Sequence, residues 1–321
     1  MGQLQRQGMD ATLFEPGQRP PGVLVLGKRY DEASLAQARE LRTRVGTRLV
    51  LDLCDDHFHA EGDEPRWRER ADQLRRACEA VDRVVVASPT LGESVRRACG
   101  ESTPITVIPD GLDLDVADPA DRRRHDAIHA LRLALFQRWH RVAPGRRLLW
   151  FGNHGASYAG SGMQDLSRIA QALAAHHRRE PVSLLVVSNR WRTYREVSRE
   201  WPWPSLYLPW SGANFARALR SVDIALIPVQ SNPFTRCKTN NRLATAFING
   251  LAVAADALPS YEEFRDLAVL DDWDAGLAQL MSDGENRARR IAAARDRLQA
   301  RYAPAVVARR WADVLGELAA R

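Results

Sequence analysis

The sequence predicts an α/β protein with two parallel-sheet domains and a helical C-terminal tail. Short apolar segments that end at Gly or at a polar cluster alternate with segments of helical periodicity, and this alternation restarts after residue 145. Strands that are apolar throughout are typical of parallel sheets covered by helices on both faces. The length of 321 residues also suits two domains, because single cores stop growing near about 250 residues.

The first domain is predicted over residues 22–116, after a flexible N-terminal arm, residues 1–21, that shows no periodic pattern. Ser88 or Thr90 can cap the helix that follows the third strand, and Pro89 is tolerated in its first turn. The predicted strands are 22–27, 47–54, 83–87 and 105–108, and the predicted helices are 32–44, 64–80 and one that begins near 88.

Residues 117–145 are rich in Arg, His, Asp and Ala and carry no strand pattern, which predicts a helical linker. The second domain is predicted over 146–300, and residues 301–321 form a C-terminal helix that can pack back on the N-terminal domain. Helical sequence begins at 274 with a break at Gly284. The predicted strands are 147–151, 182–187, 206–208, 223–229 and 252–255, and the predicted helices are 165–177, 190–200, 215–220 and 242–249. Two such sheets place a cleft between the domains, and ligands bind outside the carboxyl ends of the strands.

The charge of the chain favours an anionic partner. The formal net charge is +6, which fits a nucleotide, a phospholipid or a nucleic acid. The cations are spread through helices that also contain Asp and Glu, so we expect no nucleic-acid binding. Lys28 and Lys238 are the two lysines of the chain, and each is a position where a compact ammonium group is expected to be needed.

The sequence predicts a cytoplasmic protein. Its four cysteines are widely spaced without a CxxC pair, no apolar run reaches the length of about 18–20 residues that a membrane span needs, and the first 22 residues lack the apolar core of a signal peptide. The basic segment 66–76 leaves two interpretations open, a solvated helix face or peripheral contact with anionic lipid at the inner face of a membrane.

Three polar clusters lie at predicted strand ends. The first is the glycine-rich loop Gly152, Asn153, His154 and Gly155, where backbone N–H groups and a following helix can bind an anion; a flexible surface loop is the alternative. The second is the segment 236–243, whose cations at a helix start oppose the helix dipole unless an anion is bound there; a solvated basic turn is the alternative.

The third cluster lies at the end of the second strand and contains Asp52, Asp55, Asp56, His57 and His59. These side chains could act as a base towards a hydroxyl group or bind a divalent metal, and a solvated strand end is the alternative. Four tryptophans near the strands of the second domain could stack on a ring, although core packing is expected for most of them: Trp191, Trp201, Trp203 and Trp210.

Six motifs follow one another along the chain: VVVASPTLGESV, ITVIPDGLD, LLWFGN, LLVVS, ALRSVDIALIPV and RLATAFINGLAVAA. Their order resembles that of the GT-B glycosyltransferases of family 4, the group 1 type. The resemblance covers roughly residues 80–265 and places Arg242 where the family has a cation and Thr245 where it has Glu.

The resemblance implies a GT-B fold and transfer of a sugar from a nucleotide-diphosphate sugar to a hydroxyl of a glycan, glycolipid or other acceptor. It further implies retention at the anomeric carbon, no essential metal and no cofactor beyond the sugar donor, in bacterial surface polysaccharide or glycolipid synthesis. The residues expected to bind the donor are Gly152, Asn153, His154, Gly155, Ser188, Asn189, Lys238, Asn241, Arg242 and Thr245.

Within this scheme Lys238 and Arg242 would neutralise the donor diphosphate, and Asn240 or Asn241 could replace the ribose contact that the family Glu makes. Asp55, Asp56 and His57 are the catalytic candidates on the acceptor side. The absence of that Glu at Thr245 motivates the alternative, a non-catalytic GT-B-fold binding subunit of a glycan-assembly complex.

Overall fold

The computed structural model of the chain describes residues 1–59, 64–112, 127–155 and 160–320, and of residues 127–133 it describes the backbone alone. The chain divides into two compact units. Unit 1 comprises Met1–Leu112, Asn232–Thr239 and Gln299–Arg321, and unit 2 comprises Asp113–Ser231 and Asn240–Leu298. The predicted domain boundary falls partly on residues 113–126, which lie outside the described residues.

The elements follow one another along the chain in an alternating order. The first half contains α1 (Gly2–Arg6), β1 (Val23–Gly27), α2 (Glu32–Val45), β2 (Arg48–Leu53), α3 (Pro65–Ala80), β3 (Arg83–Val86), α4 (Pro89–Cys99), β4 (Ile105–Val107), α5 (Ala127–Val142) and β5 (Arg146–Phe151). The second half contains α6 (Ala170–Arg179), β6 (Val182–Ser188), α7 (Trp191–Val197), β7 (Ser205–Pro209), α8 (Gly212–Leu219), β8 (Ile224–Ile227), α9 (Pro233–Arg236), α10 (Asn241–Ile248), β9 (Ala252–Ala255), β10 (Val269–Leu270), α11 (Ala275–Ser282), α12 (Gly284–Tyr302) and α13 (Pro304–Ala319).

Unit 1 is built on a four-stranded parallel sheet in the order β1-β2-β3-β4. Because crossovers between parallel strands are right-handed, strands that follow in sequence order place their connecting helices on one face. Residues of α2, α3 and α4 accordingly share one core cluster with Leu49, Leu51 and Leu53 of β2. The opposite face carries Val50 and Val85, and α13 covers it through an apolar stripe of Val307, Val314, Leu315 and Leu318.

Unit 2 contains a six-stranded parallel sheet in the order β10-β9-β8-β5-β6-β7. Its first strand, β5, lies in the middle, and the chain builds outward first to β6 and β7 and then to β8, β9 and β10. This is the strand order of a Rossmann fold, and the point where the order reverses lies between β5 and β8. Trp150 of β5 faces a core that α6, α7 and α11 complete, and Phe151 faces the other side, where its ring lies 4.9 Å from that of Phe215.

The predicted α/β class with two parallel sheets and a helical C-terminal tail is confirmed. The predicted helix 165–177 is instead a 3-10 helix, Met163–Ser167, followed by α6. The short elements α9 and β10 give too few residues for a periodic pattern, and the tail breaks at Ala303 as well as before Gly284. Within residues 1–21, predicted as a loose arm, Gly2–Arg6 forms α1, and Leu4 packs on the core that α13 closes. None of the helices in the described residues is both long and apolar enough to cross a membrane.

Candidate functional site

The reversal point of the unit 2 sheet is bordered by the loop after β5, the predicted donor loop. The two arms of this loop approach closely at Gly155 and Gly162, whose φ angles are 117° and 136°. A Cβ atom on Gly155 would lie 2.6 Å from the Ser161 carbonyl oxygen, so another side chain here would force the arms apart. Residues 156–159 of the loop lie outside the described residues.

Hydrogen bonds to the end of β6 hold the first arm of this loop. Ser188 Oγ donates to the Gly152 carbonyl oxygen at 2.8 Å, and the Gly152 N–H donates to Val187 O at 3.1 Å. Asn189 Oδ1 accepts from the His154 N–H at 3.0 Å and from His154 Nδ1 at 2.8 Å. Ser188 and Asn189 therefore hold the backbone of Gly152 and the side chain and backbone of His154 in place.

These contacts occupy most of the predicted backbone cradle. The N–H groups of Gly152 and His154 are already bonded, and the Gly155 N–H donates to Asn153 Oδ1 at 3.2 Å. In this conformation the Asn153 N–H is the one of these four for which the described residues supply no acceptor. Capacity to bind an anion here must come largely from side chains.

Arg242 is a cation in the first turn of α10, beside this loop. Its guanidinium lies beside the loop: a Cβ on Gly152 would be 3.5 Å from both Cζ and Nη2 of Arg242. The Cζ atom is 5.3 Å from the ring centroid of Trp150 and 5.7 Å from that of Phe151. Nε and Nη2 are buried, and the described residues offer neither atom a hydrogen-bond acceptor.

Burial lowers the pKa of Arg242, although an arginine keeps its charge at any pH at which proteins are folded. A buried cation with two unpaired N–H donors is costly in the unliganded protein. The carboxylate whose charge acts on Arg242 is Asp165, which is itself engaged: Oδ2 accepts from the Gly162 N–H at 2.9 Å and Oδ1 from the Gln230 N–H at 3.2 Å. Burial also raises the pKa of Asp165. The described residues therefore leave these two nitrogen atoms of Arg242 without a hydrogen-bond acceptor.

The other predicted donor residues of unit 2 lie on α10. Asn241 is its first residue and is exposed, and Thr245 stands one turn beyond Arg242 and is partly buried. Asn240, which precedes α10, donates through Nδ2 to Glu263 at 2.9 Å. The tryptophans divide as follows: Trp203 is buried, Trp201 packs against the core, and Trp191 and Trp210 are 51% and 63% exposed.

The third predicted cluster lies in unit 1, where both lysines of the chain contact one carboxylate. Lys28 Nζ is 3.1 Å from Asp55 Oδ2, and Lys238 Nζ forms an ion pair with Asp55 Oδ1. Burial raises the pKa of Asp55, but the two ammonium groups outweigh it and hold the pKa well below its usual range. Lys238 thus belongs to unit 1 with Asp55, whereas Arg242, its predicted partner, belongs to unit 2.

Asp56 is only 1% exposed and serves the structure of unit 1. Its Oδ1 accepts from the Phe58 N–H at 3.0 Å, and its Oδ2 accepts from Ser94 Oγ at 2.7 Å and contacts His59 Nδ1 at 2.8 Å. The thiol of Cys237 also points at this oxygen, at 3.5 Å. A carboxylate with this many donors links β2 to α4 and to the segment after α9.

His57 is held as a neutral side chain by a chain of hydrogen bonds. Arg70 Nε donates to the Tyr30 oxygen at 2.6 Å, so the Tyr30 hydroxyl hydrogen is left for His57 Nδ1, also at 2.6 Å. Burial, together with the Arg70 guanidinium, lowers the pKa of His57 to about 4. The ring stacks on Phe234 with centroids 6.3 Å apart. His57 is therefore uncharged at neutral pH.

The structure thus gathers the predicted site residues into two groups. Gly152, Asn153, His154, Gly155, Ser188, Asn189, Asn241, Arg242 and Thr245 lie in unit 2, and Asp55, Asp56, His57 and Lys238 lie in unit 1. The sequence missed Tyr30 and Arg70, which lie on separate elements with no shared motif. It also missed Asp165, which a polar residue just after a glycine-rich loop could have indicated. The described residues contain no group of three or more side chains arranged to hold a metal ion.

The sequence matches no protein-family model, and no curated protein is similar to it at a significant level. The fold is similar to solved structures that include the following three. Sucrose-phosphate synthase from Thermosynechococcus elongatus has a TM-score of 0.63 at 15% identity, covering 93% of this chain and 74% of that one. The α,α-trehalose 6-phosphate synthase from Burkholderia multivorans has a TM-score of 0.62 at 16% identity, with 94% and 72% covered. Anabaena HepE in complex with UDP and glucose has a TM-score of 0.61 at 16% identity, with 91% and 77% covered. The fold is the GT-B fold of glycosyltransferases, which fits the predicted fold without singling out family 4.

Proposed function

We propose that the protein is a glycosyltransferase that moves a sugar from a nucleotide-diphosphate donor to an acceptor hydroxyl, with retention at the anomeric carbon and without a metal. The observation that carries this proposal is the buried Arg242 guanidinium, with two unpaired N–H donors at the reversal point of the unit 2 sheet. The GT-B fold and the similar structure that contains UDP and glucose support it.

The chemical step requires stabilisation of the negative charge that grows on the departing diphosphate. A fixed cation in a site of low dielectric constant stabilises such charge far better than one in water. Arg242 suits this requirement, because its Nε and Nη2 are buried and the described residues supply them with no acceptor. The donors are most useful in the transition state, when charge on the phosphate oxygens is greatest.

The base of the nucleotide can be held by stacking. Trp210 follows β7, is 63% exposed, and donates its backbone N–H to the Ser188 carbonyl oxygen at 2.7 Å. It therefore stands next to the strand end that shapes the donor loop. An exposed indole at such a place can stack on a base or a sugar ring. We assign this role to Trp210.

On the acceptor side, Asp55 is proposed to orient rather than to deprotonate. Two ammonium groups keep its pKa far below neutrality, which makes it a weak base. The same ion pairs fix the ammonium groups of Lys28 and Lys238 as hydrogen-bond donors. His57 is neutral, with Nδ1 accepting from Tyr30, and completes this polar surface.

The test is a calorimetric titration of the full chain with UDP, GDP, ADP, CDP and dTDP, followed by transfer assays with the sugar of any nucleotide that binds. Binding of one nucleotide is expected, and its nucleotide sugar should release that nucleoside diphosphate when an acceptor sugar or lipid is present. A folded protein that binds none of the five nucleotides would overturn the proposal.

Binding of a nucleotide with neither hydrolysis nor transfer of its sugar would favour the second candidate, a non-catalytic binding subunit of a glycan-assembly complex. The residue that motivates this candidate is Thr245, which stands where the resembling family has Glu. Thr245→Glu is the matched variant: it should leave a binding subunit inactive. In a transferase it should change the affinity for the nucleotide ribose.

A further inference from the structure

A cavity of about 360 Å³ opens in unit 1 near the carboxyl end of its sheet. Its walls come from the turn after β1, which contributes Lys28 and Tyr30, and from one face of α3, which contributes Arg66 and Arg70. The volume lies within the range of about 300–1,000 Å³ that small-molecule sites occupy.

The cavity leads to the two acceptor-side residues singled out above. Two residues of the cavity wall contact them directly. Lys28 Nζ lies 3.1 Å from Asp55 Oδ2, and the Tyr30 hydroxyl lies 2.6 Å from His57 Nδ1. Lys28 also adopts a left-handed backbone, with φ of 55°, although it carries a side chain. Such a conformation is unfavourable for a residue with a side chain and is concentrated at functional sites.

Three of the charged wall residues are cations. Arg66 is exposed and pairs with Glu64 at 2.6 Å, a surface contact that a ligand can replace at little cost. Arg70 spends Nε on Tyr30 and forms no ion pair with an acidic side chain of the described residues. Its guanidinium also lies over the rings of Tyr30 and Trp67, with Cζ 5.7 Å and 5.9 Å from the two centroids, and the described residues supply its terminal nitrogens with no hydrogen-bond acceptor.

Asp31 and Glu69 also line the cavity, and Asp55 pairs with Lys28, but Asp55 pairs with Lys238 as well and so balances only one of these two ammonium groups. Asp31 caps α2: its Oδ1 accepts from the Ser34 N–H at 2.9 Å and its Oδ2 from Ser34 Oγ at 2.7 Å. Glu69 accepts from Gln73 at 3.4 Å and can also accept from a sugar hydroxyl. A phosphate monoester carries nearly two negative charges and three acceptor oxygens, which suits three cationic side chains better than a carboxylate does.

We infer that this cavity binds an acceptor that carries both hydroxyl groups and a phosphate, with Lys28, Arg66 and Arg70 on the phosphate. The inference rests on the proposed transferase function and names the acceptor class for it. A soluble sugar phosphate and the phosphorylated polyol headgroup of a lipid share this chemistry, and the experiment separates them.

The experiment is calorimetry on the full chain with glucose 6-phosphate, mannose 6-phosphate and their unphosphorylated sugars, and co-sedimentation with vesicles of phosphatidylcholine with and without phosphatidylinositol. The phosphorylated form should bind at least about tenfold more tightly, since each charge-assisted hydrogen bond contributes about 1.5–3 kcal/mol. Arg66→Gln should remove about tenfold of that affinity. Arg76→Gln is the matched control, an arginine on the same helix that does not line the cavity.

Arg70→Gln should weaken binding further. If the Arg70 variant fails to fold, Arg66→Gln still tests the inference, because Arg66 is exposed. Binding to phosphatidylinositol vesicles alone, with the same response to the variants, would assign the phosphate to a lipid. Equal affinity for sugars with and without phosphate, equal losses in Arg66→Gln and Arg76→Gln, or no binding in either arm would each overturn the inference. UDP titrations of the same variants separate the two proposals, because failure of nucleotide binding counts against the transferase and not against the cavity.

Discussion

Replacing Arg242 by methionine separates the cost of this side chain in the free protein from its value when a nucleotide is bound. In the free protein two buried N–H donors lack acceptors, and each costs about 1–3 kcal/mol. Cation–π contacts of the guanidinium with the Trp150 and Phe151 rings offset part of this cost. Such a contact contributes about 0.5 kcal/mol when it is exposed and about 2 kcal/mol when it is desolvated. Methionine keeps the packing and makes its own contact with aromatic rings.

We therefore expect Arg242→Met to stabilise the ligand-free protein by about 1–2 kcal/mol, a rise in Tm of a few degrees for a domain of this size. The same variant should lose about 3 kcal/mol or more of nucleotide-diphosphate affinity, at least about a hundredfold, because two charge-assisted hydrogen bonds are removed. Thermal unfolding and calorimetry on one preparation measure both quantities.

Arg265→Met is the control, since Arg265 is an exposed arginine paired with Glu262 at 2.6 Å and should change neither quantity. Destabilisation of the Arg242 variant by more than about 2 kcal/mol would refute the reasoning, because it would mean that the guanidinium has a partner whose loss is costly. Undiminished nucleotide affinity would refute it equally.

Three other predictions concern unit 1. Burial raises the pKa of Asp52 to about 6, so ionisation of this carboxyl group destabilises the folded protein as pH rises from about 4 through 6. Asp52→Asn should therefore raise Tm at pH 7.5 and raise it much less at pH 4. Equal increases in Tm at the two pH values would contradict this. Burial lowers the pKa of His57 to about 4, so its ring resonances in NMR spectra should stay constant from pH 5.5 to 8; a midpoint above 6 would exclude the neutral assignment. A double-mutant cycle of Asp55→Asn and Lys238→Met should give a coupling of about 1–2 kcal/mol in the free energy of urea unfolding. A value near zero would show that the ion pair does not stabilise the folded protein.

The strands could be predicted from the sequence because they are covered on both faces. Val182–Ser188 is buried at every position, and such an uninterrupted segment has few other structures open to it. What covers a face is harder to predict. The apolar stripe of α13 indicates an amphipathic helix, but nothing local to it identifies Val50 and Val85, more than two hundred residues earlier, as its partners.

The candidate site shows the same limit. The sequence makes Arg242 a candidate because a cation at the start of a helix is unfavourable unless an anion binds there. Lys238 stands four residues earlier and was grouped with it for that reason, yet its ammonium group contacts Asp55, 183 residues away along the chain. A pair so distant in sequence leaves no spacing pattern, and without one a basic segment cannot be divided between two units.

The division of unit 1 into three chain segments has a consequence for biosynthesis. When the ribosome has made residues 1–112, the sheet face that carries Val50 and Val85 still lacks α13, and Asp55 and Asp56 still lack Lys238 and Cys237. Unit 2 has all of its residues once Leu298 has been added, whereas unit 1 must wait for its last segment. The part of the chain that is synthesised first therefore completes its folding last, and until then it exposes an apolar sheet face of the kind that leads to aggregation.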